Sequence, residues 1–62
     1  MHKEYNLHVA PHIKAYKAGK IGPDTLGNRV TAAHKKIAAR TGRHIDVVAK
    51  AVNTRVDHEL EN

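Results

Sequence analysis

Apolar positions recur at helical spacing through the second half of the chain. Leu26, Val30, Ala33 and Ile37 lie four, three and four positions apart, which is one face of a helix. Ile45, Val48, Val52, Val56 and Leu60 form a second stripe. Gly42 falls between the two. A glycine just past a helix end is the favoured left-handed stop, because it carries no Cβ. The pattern predicts long helices over about 25–40 and 45–60 that meet at a tight corner. Asp24 is the expected N-cap of the first. Gly27 weakens that helix's first turn by roughly 1 kcal/mol relative to alanine. Asp46 complements the dipole of the second helix, whereas Asp57, Glu59 and Glu61 oppose it, so the last turn is expected to fray.

The first half is less regular. Pro11 suits the first turn of a helix, Ile13 and Tyr16 then share a face, and Gly19 ends the run. This predicts a short helix over about 11–18, followed by a loop over 19–24 rich in glycine and proline. Residues 4–9 alternate, with Tyr5, Leu7 and Val9 on one face of a two-residue period. Three conformations fit them: a short strand, a frayed arm, or an early helix interrupted by Pro11. A lone strand needs a partner, and the rest of the chain offers none, so a strand over 4–9 implies pairing in a dimer. The expected fold class is mainly α, a single small helical domain over 1–62, in which a strand over 4–9, if formed, is the one β element.

Composition adds a constraint. A 62-residue monomer buries only about 60% of its unfolded surface. The chain has no Phe, Trp or Cys, so neither large aromatic anchors nor disulfides reinforce the core. The remaining reinforcement is self-association, and a homodimer or higher assembly is expected. Absence of Cys fits a reducing compartment, and the expected location is the cytoplasm of a bacterial or phage-infected cell. No stretch approaches the length of a transmembrane helix or a signal-peptide core, and no membrane partner is expected.

Charge is lopsided. Between Tyr5 and Ile45 the only acid is Asp24, against Lys14, Lys17, Lys20, Arg29, Lys35, Lys36, Arg40 and Arg43. From Asp46 onward, acids outnumber Lys50 and Arg55. The net charge of +5 therefore understates a basic body with an acidic tail. Such a body suggests an anionic partner, nucleic acid first. The plainer reading is a solvated surface that keeps a small protein soluble. The corner gathers Lys35, Lys36, Arg40, Arg43 and His44, and the start of the last helix offers free amides to a phosphate.

The stretch Ile37-Ala38-Ala39-Arg40-Thr41-Gly42-Arg43-His44-Ile45-Asp46 resembles the second half of ribbon-helix-helix repressors, with His44 where that family carries Ser. Tyr5-Asn6-Leu7-His8-Val9 ahead of Pro11 resembles the family's strand, which pairs across a dimer and enters the major groove. The resemblance implies that Glu4, Asn6 and His8 face bases while Tyr5, Leu7 and Val9 face the core. The same corner, with Ala38, Gly42, Val48 and the ending Val52-Asn53, is also similar to a helix-turn-helix of the Lac or Cro repressor type. Both resemblances imply DNA binding, but they place different elements in the groove. An ordinary helical hairpin accounts for Ala38, Gly42 and Val48 by packing alone.

No catalytic set is present: the chain lacks Cys and Ser, and its carboxylates lie mostly in the tail. No phosphate-cradling glycine fingerprint occurs. A non-enzyme without a cofactor is expected. Of six histidines, His8 and His12 have the spacing of a helical metal pair, but Pro11 falls between them and no further ligand completes a site. No metal is expected. The expected function is a small DNA-binding regulator. Lys35, Lys36, Arg40, Arg43 and the amides near His44 grip phosphates, and Lys14, Lys17 and Lys20 extend the basic face. Base readout falls to Asn6 and His8, or to Lys50 and Asn53. The alternative is a small phage- or plasmid-type inhibitor or adaptor that binds a host protein through its last helix or basic face. Salt-dependent binding to random duplex DNA discriminates the two.

Overall fold

In a computed structural model, residues 2–61 fold into four helices: α1 (His2–His8), α2 (Ala10–Lys17), α3 (Pro23–Thr41) and α4 (Ile45–Glu61). Met1 and Asn62, the ends of the expected domain, lie outside the described residues.

The N-terminal segment corrects the strand expectation, because residues 4–8 are helical and no strand occurs among the described residues. Tyr5, Val9 and Ile13 are spaced by four and all face the core, so the helical stripe runs straight through Pro11. Leu7, which the alternation placed beside Tyr5 and Val9, is 55% exposed. A helix here finds its partners within the chain, whereas a strand would have found none. Backbone bonds continue across the junction, from the Val9 amide to the Tyr5 carbonyl (2.8 Å) and from the Ile13 amide to the Val9 carbonyl (3.2 Å). Pro11 brings no N–H for the Leu7 carbonyl. Together α1 and α2 are thus one arm interrupted at Val9, the early helix broken by Pro11.

Gly19 ends the arm at φ +76°, with Lys20 donating to the Ala15 carbonyl (2.9 Å) and Gly19 to Tyr16 (3.0 Å). This pair of bonds is a Schellman stop, which needs a left-handed residue that glycine supplies without strain. At the start of α3 the N-cap position belongs to Gly22, with Pro23 at the first helical position. Asp24 is therefore not the cap expected of it, but it remains the acid of the first turn. Gly42 terminates α3 at φ +71°, its amide bonded to the Ala38 carbonyl (2.9 Å), where the left-handed stop was expected.

The two long helices form an antiparallel hairpin, and the arm packs against both α3 and α4. Three stripes meet in the middle: Tyr5, Val9 and Ile13; Leu26, Val30, Ala33 and Ile37; Val48, Val52 and Val56. Ile45 and Leu60, the ends of the predicted last stripe, stay partly exposed. No helix among the described residues is long and apolar enough to cross a membrane.

Candidate nucleic-acid interface

On α3, Arg29, Lys36 and Arg40 are seven and four positions apart, so they share a stripe flanking the core face. The arm runs beside this stripe in the opposite direction. A groove of about 310 Å³ opens between them, lined by Leu7, His8, Pro11 and His12 from the arm and by Arg29, Ala32, Ala33 and Lys36 from α3. Among the described residues no carboxylate is part of its lining, and the nearest one described, that of Glu4, stands 3.1 Å from His8 Nε2. Burial first, and then the charges of Arg29 and Lys36, push the His12 imidazole below its usual value. His12 therefore senses both cations as well as its burial.

One end of the stripe is already satisfied. Arg40 Nε donates to Glu4 Oε2 at 3.0 Å. The buried His8 Nε2 lies 3.1 Å from the same oxygen, close enough for an ion pair when the ring is protonated, but makes no hydrogen bond. The Arg40 side chain is more than half exposed, so this ion pair contributes at most about 1 kcal/mol. It does hold Arg40 against the arm.

The corner differs from expectation. The Asp46 amide, one of those offered to a phosphate, donates to His44 Nδ1 (3.2 Å), and the Asp46 carboxylate stands 3.7 Å from the same nitrogen. One free donor of α4 is thus used, and a negative charge sits beside the rest. Arg43 and Lys35 are exposed, and the Arg43 amide donates to Thr41 Oγ1 (3.4 Å). Of the corner set, only Lys36 lines the groove.

The other candidates lie elsewhere. Asn6, Lys14 and Lys17 line a second groove on the other flank of the arm, with Tyr5, Arg55 and Glu59. Asn6 also contacts His2 Nε2 at 3.3 Å. Asn53 lines a third groove between α3 and α4, beside the buried His34. Burial pushes the His34 imidazole below its usual value, and its Nε2 has no partner. Lys20 and Lys50 are exposed, in the loop and on α4. The basic face expected from sequence is therefore divided. Asn6 and His8, expected side by side on a strand, stand on opposite flanks of a helix.

Sequence reasoning named Arg29 only among the basic residues and His12 only as a metal-spaced partner of His8, and placed neither in the interface. The signals were present: Arg29 repeats seven positions before Lys36, and His12 repeats four after His8. Among the described residues no cluster of three or more potential ligands could hold a metal ion. No protein-family model, curated protein or solved structure matches the chain.

Proposed function

We propose that the chain is a small duplex-DNA-binding protein, a regulator working in the cytoplasm, that grips a phosphate backbone along the groove between the arm and α3. The observation that carries this reading is the convergence of Arg29, Lys36 and His12 on one concave surface, with the Glu4 carboxylate drawn to Arg40 at its end. Phosphate contacts supply most of the sequence-independent affinity of such proteins. Lys35, Arg40 and Arg43 extend the grip along α3 and into the corner. Readout of bases falls to residues at the groove's rim rather than to a strand, because the arm is helical.

The inhibitor reading is less well supported. Val48, Val52 and Val56 of α4 are buried in the chain's own core, so the apolar stripe that was to dock on a host protein is already occupied. Leu7, Ile45, Val47 and Leu60 remain exposed but are spread over the arm and both ends of α4, so the proposed homodimer rests on the small size of the core. Light-scattering mass, with and without DNA, tests that pairing.

The deciding experiment is titration of a labelled random duplex at several salt concentrations. A DNA binder gives a straight line of log K against log salt. Absence of binding at low salt overturns the reading.

A further inference from the structure

We propose that Glu4 is a built-in competitor for phosphate at the DNA interface: its carboxylate occupies Arg40 in the free protein, and a backbone phosphate that takes Arg40 drives it off. This inference rests on the duplex-binding reading and deepens it, because it makes Arg40 an autoinhibited grip that opens on contact with the ligand.

The contact joins the arm to α3 across 36 positions of the chain. Glu4 is the one acid among residues 1–23, and it is spent on the basic stripe. Its side chain is 16% exposed, while that of Arg40 is 59% exposed. The carboxylate is thus tucked beneath a guanidinium that faces outward. Arg40 uses only Nε in this bond, at 3.0 Å, and its two terminal nitrogens make no hydrogen bond to the described residues. A guanidinium holds a phosphate best through two parallel N–H donors, and the open terminal pair offers them. A phosphate seated there puts a second anion on one cation, and like charges at contact distance repel. The more weakly charged carboxylate is the one that leaves.

Glu4 has a place to go. The buried His8 Nε2 stands 3.1 Å from the same carboxylate oxygen without a hydrogen bond. Buried polar groups are normally satisfied. Turning the carboxylate away from Arg40 gives that nitrogen the acceptor it lacks, with the ring proton on Nε2. Glu4 and His8 are four apart on α1, so the exchange stays within one helical turn. Arg40 and His8 are therefore alternative partners of a single carboxylate, and phosphate selects between them.

Two plainer roles compete with this one. The pair would be a clasp if it held the arm on α3 in the free and bound states alike. Glu4 would be a bystander if its charge merely repelled DNA at a distance. An ion pair between exposed side chains is worth up to about fivefold in an equilibrium. The low exposure of Glu4 puts this pair near that upper end.

The test is a double-mutant cycle of Glu4→Gln and Arg40→Gln in the full chain, with the affinity for a labelled random duplex read by fluorescence anisotropy at low salt. Neutralising Glu4 adds the same charge in either background, so general repulsion cancels from the comparison. Glu4→Gln is expected to tighten duplex binding about three- to fivefold more with Arg40 present than in the Arg40→Gln background. Equal gains would make Glu4 a bystander, and weaker binding by Glu4→Gln would make the pair a clasp; either result overturns the proposal. A second measurement needs no substitution. The Arg40 Nε–H resonance of the parent should move as duplex is added, and an unmoved resonance at saturation means an intact Glu4 bond and sinks the proposal as well. If neither the parent nor any variant binds duplex at low salt, the DNA reading fails and takes this contact with it, whereas binding with equal gains removes the contact alone.

Discussion

Replacing Arg29 and Lys36 together by glutamine removes both fixed charges from the groove beside α3 while keeping long polar side chains. Each cation that neutralises a phosphate contributes about 0.9 to the slope of log K against log salt. Losing two such contacts should flatten the slope by about 1.8. Between about 50 and 200 mM salt, a fourfold change, the parent should then lose about 12-fold more affinity than the variant. Both side chains are exposed, so folding stability should change by no more than about 0.5 kcal/mol, which a melting curve checks. Fluorescence anisotropy with two unrelated duplexes reads the effect, which should be the same for both, because phosphates carry no sequence. The control is Lys14→Gln with Lys17→Gln, which removes the same charge from the other flank of the arm. If the two double variants flatten the slope equally, DNA responds to net charge and the groove has no special part in binding. If neither changes it, the interface lies elsewhere.

Four further outcomes follow from the same geometry. His12 is held below its usual pKa by burial and by Arg29 and Lys36, and a phosphate would relieve the latter; DNA affinity should therefore rise as pH falls from about 8 to 6, and His12→Gln should reduce that rise in an anisotropy titration. His34 is also held low, so the unfolded chain binds the extra proton; stability should be full above about pH 6.5 and fall as pH drops from there toward the folded pKa, and His34→Gln should flatten that part of the denaturant midpoint's pH profile. Val52 is fully buried, and Val52→Ala should cost about 2–3 kcal/mol from two methyl groups and the cavity they leave, or about 10–20 °C of melting temperature, with Val52→Asp unfolding the chain; Val47→Ala, at a 55% exposed site on the same helix, should change it little. Gly42→Ala meets no neighbour within 4 Å but keeps φ at +71°, so it should cost about 1–2 kcal/mol by denaturant unfolding without altering the core.

The long helices were legible because their stripes are spaced by three and four and end at glycine or proline. The arm was not, and the reason lies in two residues. Leu7 completes an alternation that mimics a strand, and Pro11 breaks the run at the point where Tyr5, Val9 and Ile13 would have shown a helical stripe. Local pattern was balanced between the two readings, and packing against α3 and α4 decided it. The corner shows the opposite failure. Lys35, Lys36, Arg40 and Arg43 are close in sequence, but at about 100° per residue neighbours such as Lys35 and Lys36 face different ways. Arg29 and Lys36, seven apart, differ by only about 20° and therefore share the groove. The half of the site contributed by His8 and His12 depends on where the arm lies, which no local pattern records.

The arm's interrupted helix ties fold and function together. Its core stripe is narrow, one residue in four, so both borders of the stripe stay near the surface while resting against a neighbouring helix. His8 and His12 occupy the border facing α3, and Lys14 and Lys17 the border facing α4. Neither long helix alone makes a concave site, since each groove has one wall from the arm. A substitution at Val9 or Ile13 should therefore loosen both grooves at once, because the shared wall is positioned by those side chains. Substitutions at the borders should separate them. If Val9→Ala lowered stability yet left DNA affinity as in the parent, the arm would not be the wall of the DNA site, and that surface would have to be assigned to the α3–α4 hairpin alone.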